Sequence, residues 1–144
     1  MNDRDAKITV AEFEALCGDD THFLSVFDFT TLRIGHGQAV CALPYDVKHA
    51  RSGETVGGPA IMALADFCLW VAIVGAYGPA AKAAVTTSLS VNFLRPAGLS
   101  KLICEAELVK AGRSLAVGTM TVRAAGDTRP VAHVTGTYSV ASLK

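Results

Sequence analysis

Charge of either sign is scarce: 13 Lys and Arg face 13 Asp and Glu in 144 residues, for a formal net charge of zero. That balance argues against bulk electrostatic attraction to nucleic acid or to an anionic membrane surface. Cysteine is sparse and scattered. Cys17, Cys41, Cys68 and Cys104 form no Cys-x-x-Cys pair and have no His at ligand spacing, which speaks against a zinc site or disulfide framework and leaves ordinary buried thiols. His22, His36, His49 and His133 share no ligand spacing either; they read as surface or strand histidines, with His49 nearest the candidate site. The opening Met-Asn-Asp-Arg-Asp lacks a basic region followed by an apolar run, so no secretion signal is read and the cytoplasm is the expected compartment. Repeats, low-complexity tracts and interdomain linkers are not seen.

What is plentiful is apolar surface. At 51% apolar residues the chain reads as one domain over residues 1–144, with 1–23 as an N-terminal helical segment and a core that needs no disulfide or metal staple. A neutral protein this apolar exposes more hydrophobic area than a soluble monomer usually tolerates, so a homo-oligomer is expected. The apolar residues concentrate in 58–77, where Asp66 is the sole charge. A segment apolar on every face predicts a helix surrounded by protein, since a surface helix keeps a polar stripe. As a membrane span it would carry Asp66 at mid-depth, at a cost of about 2.5–3.5 kcal/mol. Gly58-Pro59 and Gly78-Pro79 instead punctuate its ends as in soluble proteins. A carboxylate buried in such a helix acquires partners or becomes a candidate for chemistry.

Around this helix the pattern is mostly sheet. Thr9-Val10-Ala11-Glu12 has the form of a capping box and predicts a helix over 10–17, ended by Gly18. Residues 24–34 and 39–43 predict a hairpin turning at Gly35-His36-Gly37, and 45–56 a polar loop. After the long helix, period-two alternation puts Val85, Thr87, Leu89, Val91 and Phe93 on one face and Thr86, Ser88, Ser90 and Asn92 on the other. Further strands are predicted over 102–109, 115–123 and 131–140, joined by short turns. The order implies an α+β fold: a curved antiparallel sheet wrapped around one long central helix.

The stretches Thr55-Val56-Gly57-Gly58-Pro59, Leu64-Ala65-Asp66 and Ser90-Val91-Asn92-Phe93-Leu94-Arg95-Pro96 resemble hotdog-fold thioesterases of the phenylacetic-acid-degradation (PaaI-like) type. Gly112-Arg113-Ser114-Leu115-Ala116 and Thr135-Gly136-Thr137-Tyr138 add weaker agreement, and the resemblance covers about residues 25–141. It implies hydrolysis of an acyl-CoA thioester in a homodimer whose sheets join, often doubled to a tetramer. Two departures stand out. The family's His-Gly-Gly falls on Gly57-Gly58-Pro59, and the polar residue six before that His, usually Asn, falls on Arg51.

Under that resemblance Asp66 acts as general base or as nucleophile, and the Gly58 N–H at the helix N-terminus polarises the carbonyl. Thr86 matches the family's water-positioning hydroxyl. Arg51, Thr87, Arg95 and Arg113 are candidate substrate contacts, the arginines lying at loops or turns where CoA phosphates can be met. Eight helical residues separate Gly58 from Asp66, a rise of about 12 Å, so a shared carbonyl needs Gly58 of one subunit and Asp66 of the other. No metal or redox cofactor is expected; coenzyme A enters as part of the substrate, and neither nucleic acid nor membrane is an expected partner. Blander readings are a helix acid satisfied by nearby hydroxyls and a plain helix-start glycine. The alternative functions are a non-catalytic acyl-CoA-binding hotdog module, motivated by the lost His, and hydratase chemistry, for which only His49 could supply a His.

Overall fold

The computed structural model describes residues 5–18 and 24–143, in the element order helix, two strands, a short hairpin, the long helix and four further strands. His22 lies outside the described residues. The first helix, α1 (Val10–Cys17), starts where Thr9 accepts the Glu12 N–H at 3.1 Å and stops at Gly18. Its one fully buried residue, Phe13, packs edge-on against Trp70 with ring centroids 5.3 Å apart.

Strand β1 (Thr30–Gly35) is shorter than the apolar run suggested. Leu24–Val26 is a 3-10 turn, and Asp28 takes a left-handed φ of 56° that breaks the extended path before Thr30. β2 (Gln38–Leu43) returns after the turn at Gly37. The loop expected over 45–56 holds more order than expected, namely a 3-10 turn over Val47–His49 and a small hairpin of β3 (Ala50–Arg51) and β4 (Thr55–Val56). The long helix α2 spans Gly58–Tyr77. β5 (Val85–Phe93), β6 (Leu102–Ala111), β7 (Leu115–Ala124) and β8 (Pro130–Ser139) complete the chain.

Six strands pair in the order β1-β2-β6-β7-β8-β5, every pair antiparallel, and α2 touches all six. Alternating residues of each central strand turn inward: Ala39, Cys41 and Leu43 of β2, Leu102 and Cys104 of β6, Met120 and Val122 of β7, Ala132 and Val134 of β8. Leu69 of α2 drops into a notch where β7 and β8 place two glycines opposite each other. A Cβ at Gly118 or at Gly136 would sit 2.6 Å from a Leu69 methyl. Farther along, a Cβ at Gly75 would fall 2.3 Å from the Gly35 carbonyl oxygen, so helix and β1 approach backbone to backbone. By length and composition α2 could cross a membrane, yet 72% of that stretch is buried within the fold.

The chain's own sheet covers the helix on all sides but one. Pro59 and Met62 are exposed, and Ala63, Asp66 and Trp70 half-buried. Their spacing makes one open stripe along the helix. Asp66 is on that stripe.

Candidate active site

The helix dictates the position of Asp66, and the sheet edge supplies its partners. Thr86 of β5 donates to Asp66 Oδ1 at 2.9 Å, and the Tyr138 hydroxyl of β8 donates to the same oxygen at 2.7 Å. Among the described residues nothing engages Oδ2. Burial, and then the Asp66 charge beside it, push the Tyr138 hydroxyl well above the usual tyrosine range, so it remains a donor at any physiological pH.

Thr86 reaches the helix because β5 is bulged. Its register against β8 shifts between Thr86, opposite Tyr138, and Ser88, opposite Thr137. The extra residue, Thr87, turns Thr86 to the face that carries Leu89, which is opposite Gly136. Simple alternation placed Thr86 with Ser88 and Ser90; the bulge overturns that assignment and leaves Thr87 exposed, away from the cleft. Tyr138, quoted in the sequence only as part of a weak motif, is the site residue that the chemistry reading missed. Its available signal was its inward place in the alternation of β8.

A cleft of about 630 Å³ opens over the helix stripe, lined by Asp66, Thr86 and Tyr138 among mainly apolar neighbours that include Phe27, Met62, Phe67 and Trp70. Lys82 also reaches its wall. Such a concave apolar site with a few converging polar groups is what a small organic ligand needs.

Gly58 lies elsewhere. It lines a second cavity of about 720 Å³ together with Arg51, Phe93 and Arg95, and Pro59 is the residue common to both cavities. Among the described residues no hydrogen bond takes up the Gly58 N–H, as expected for the first residue of a helix. The small hairpin fixes this region. His49 accepts the Gly57 N–H at 2.9 Å, while Val56 and Gly98 tie the hairpin to the loop after β5. Glycine suits position 58 because a Cβ there would press on the Phe93 ring at 3.2 Å. His49 itself is buried, contrary to a surface reading, with its ring stacked on Phe27 at 5.7 Å.

Arg51 and Arg95 are thus brought to the Gly58 cavity, both exposed, Arg95 donating through Nε to the Pro130 carbonyl at 3.0 Å. Arg113 is exposed at the β6–β7 turn and lines neither cavity. Three thiols, Cys41, Cys68 and Cys104, are buried, whereas Cys17 is only half-buried. No metal-holding cluster of His, Cys, Asp or Glu occurs among the described residues.

A sequence model of the thioesterase superfamily matches residues 53–131, more than half of the chain. The chain belongs to the thioesterase superfamily. Its fold is the hotdog fold of that family, and solved structures agree. A putative thioesterase from Silicibacter sp. is 29% identical with a TM-score of 0.79, the match covering 93% of this chain and 92% of that one. A variant of phenylacetic acid degradation protein PaaI from Thermus thermophilus is 28% identical with a TM-score of 0.71, over 81% and 96% of the two chains. Zebrafish thioesterase superfamily member 2, at 20% identity and a TM-score of 0.79 over 92% and 99%, shares the fold. None of the curated proteins matches. The superfamily match includes Gly58, Asp66 and Thr86 but ends before Tyr138.

Proposed function

We propose that this thioesterase-superfamily chain hydrolyses an acyl-CoA thioester to the free acid and coenzyme A, in a homodimer whose two active sites are each built from both subunits. The observation that carries the reading is the placement of Asp66. Its carboxylate is held through one oxygen by two hydroxyl donors, and Asp66 lines an apolar cleft on the uncovered face of the helix.

In the base route, Asp66 Oδ2 takes a proton from water and the hydroxide oxygen attacks the thioester carbonyl carbon. The carbonyl oxygen gathers negative charge against the Gly58 N–H and helix dipole of the other subunit. The C–S bond then breaks, and the proton on Asp66 passes to the departing thiolate. In the nucleophile route Asp66 attacks the carbonyl carbon directly and the C–S bond breaks to release CoA thiolate, leaving a mixed anhydride. Water opens it to the free acid and the Asp66 carboxylate, and the proton released goes to the thiolate. Thr86 and Tyr138 serve either route by fixing the carboxylate. Arg51 and Arg95 provide cations for CoA phosphates beside Gly58.

Free-thiol release across short, medium, long and aromatic acyl-CoAs tests the reading. The parent is expected to turn over at least one class, and Asp66→Ala to lose about 10²–10⁴-fold in kcat, the usual weight of a positioned acid or base. Binding without turnover in the parent would instead favour the non-catalytic module, which the absence of a side chain at Gly57 and the arginine at position 51 motivate.

A further inference from the structure

Next to the Asp66 cleft is another, partly open chamber of about 250 Å³, lined by Phe13, Glu14, Cys17, Leu24, Phe29, Thr31 and Phe67. Leu24, Phe29 and Phe67 also line the cleft itself. The two spaces are therefore neighbours that share these three residues. Two of the three form a stacked pair. Phe29 of the segment entering β1 and Phe67 of α2 lie with centroids 4.6 Å apart and planes 13° from parallel.

We infer that the Phe29–Phe67 stack is the wall between the two spaces and the specificity determinant of this site: it closes the acyl cleft at a fixed depth and shuts acyl chains out of the adjoining chamber. The inference rests on the acyl-CoA reading above. Phe67 and Asp66 line the same cleft. Phe67 is only 7% exposed and is braced by Phe13 of α1, edge-on at 6.1 Å. Phe29 is half-buried and is held from the cleft side by Phe27, stacked at 5.1 Å. Of the two rings Phe29 has the freer surroundings and is the one to remove.

A chain that reaches the stack must displace packed aromatic surface or stop. Each methylene accommodated in an apolar pocket is worth about tenfold or more in discrimination, so opening the chamber should lengthen the preferred chain rather than strengthen binding at every length.

Calorimetric titration with non-hydrolysable butyl, octyl and hexadecyl CoA thioethers decides the matter without requiring turnover. For Phe29→Ala the ratio of hexadecyl to butyl affinity is expected to rise at least about tenfold over the parent. Phe27→Ala, which opens the cleft but not the chamber, should not raise it. Adding Cys17→Phe to Phe29→Ala refills the chamber and should reverse the gain. Phe29→Leu provides the same comparison where the alanine variant fails to fold. An unchanged ratio in the folded Phe29 variant, or an equal rise in Phe27→Ala, overturns the inference. Thiol release measured on the same proteins separately tests whether the site hydrolyses at all.

Discussion

Asp66 is the residue on which the proposed chemistry depends, and its behaviour follows from the hydroxyls that hold its carboxylate. Thr86 and Tyr138 both donate to Oδ1, and hydrogen bonds to a charged group are worth about 1.5–3 kcal/mol each. Thr86→Val and Tyr138→Phe should each lower kcat by about tenfold or more while Asp66→Ala costs further orders of magnitude, as steady-state kinetics would show. Tyr138 also predicts a pH effect. Its folded value is raised above the ordinary 10.0 by burial and the Asp66 charge, so the unfolded chain loses that proton first as pH rises. Stability from this residue is intact below pH 10 and declines above it. Denaturant titrations at pH 9 and pH 11 should show a smaller alkaline loss in Tyr138→Phe than in the parent.

At the scale of elements, the long helix is fixed by what the sheet leaves room for. Leu69 is fully buried in the notch between Gly118 and Gly136. Gly118→Ala should therefore destabilise the fold by about 1–3 kcal/mol through overpacking, read as a lower denaturation midpoint with activity per folded molecule retained. The helix bounds, the strand sequence and the turn positions were legible because Gly-Pro pairs and period-two alternation are local signals. The bulge at Thr87 was not. It depends on the register that β8 imposes, a non-local pairing, and alternation alone assigns Thr86 to the wrong face. Tyr138 was overlooked for a related reason, since its meeting with Asp66 spans 72 residues of chain. His49 looked like a loop histidine because nothing local showed that Phe27 covers it.

For the whole molecule, the open side of the helix and the edge of the sheet point the same way. β5 is an edge strand exposed along most of its length, with Val85 61% and Phe93 52% exposed. An uncovered edge strand with apolar side chains is a pairing surface that soluble proteins normally cover. Asp66 and Gly58 sit about 12 Å apart along one rod and line different cavities, so under the proposed reaction one subunit offers two half-sites and no complete one. Pairing two subunits would supply each Asp66 with the other chain's Gly58. Sedimentation velocity should accordingly show a dimer or a multiple of it.

The most direct test of a site shared between subunits is complementation between two inactive variants. Asp66→Asn removes the base. Gly58→Pro, made in a Phe93→Ala background to clear the ring that an added Cβ would meet at 3.2 Å and compared with Phe93→Ala alone, removes the N–H at a helix position that tolerates proline, after a Gly57 whose ψ of 150° suits a following proline. Each variant alone is expected to be inactive. Co-expressed in equal amounts they should form mixed dimers with one intact site each, restoring about a quarter of the parent's thiol release under random pairing. Mixed dimers, isolated by two different affinity tags and as inactive as the separate variants, would contradict the account.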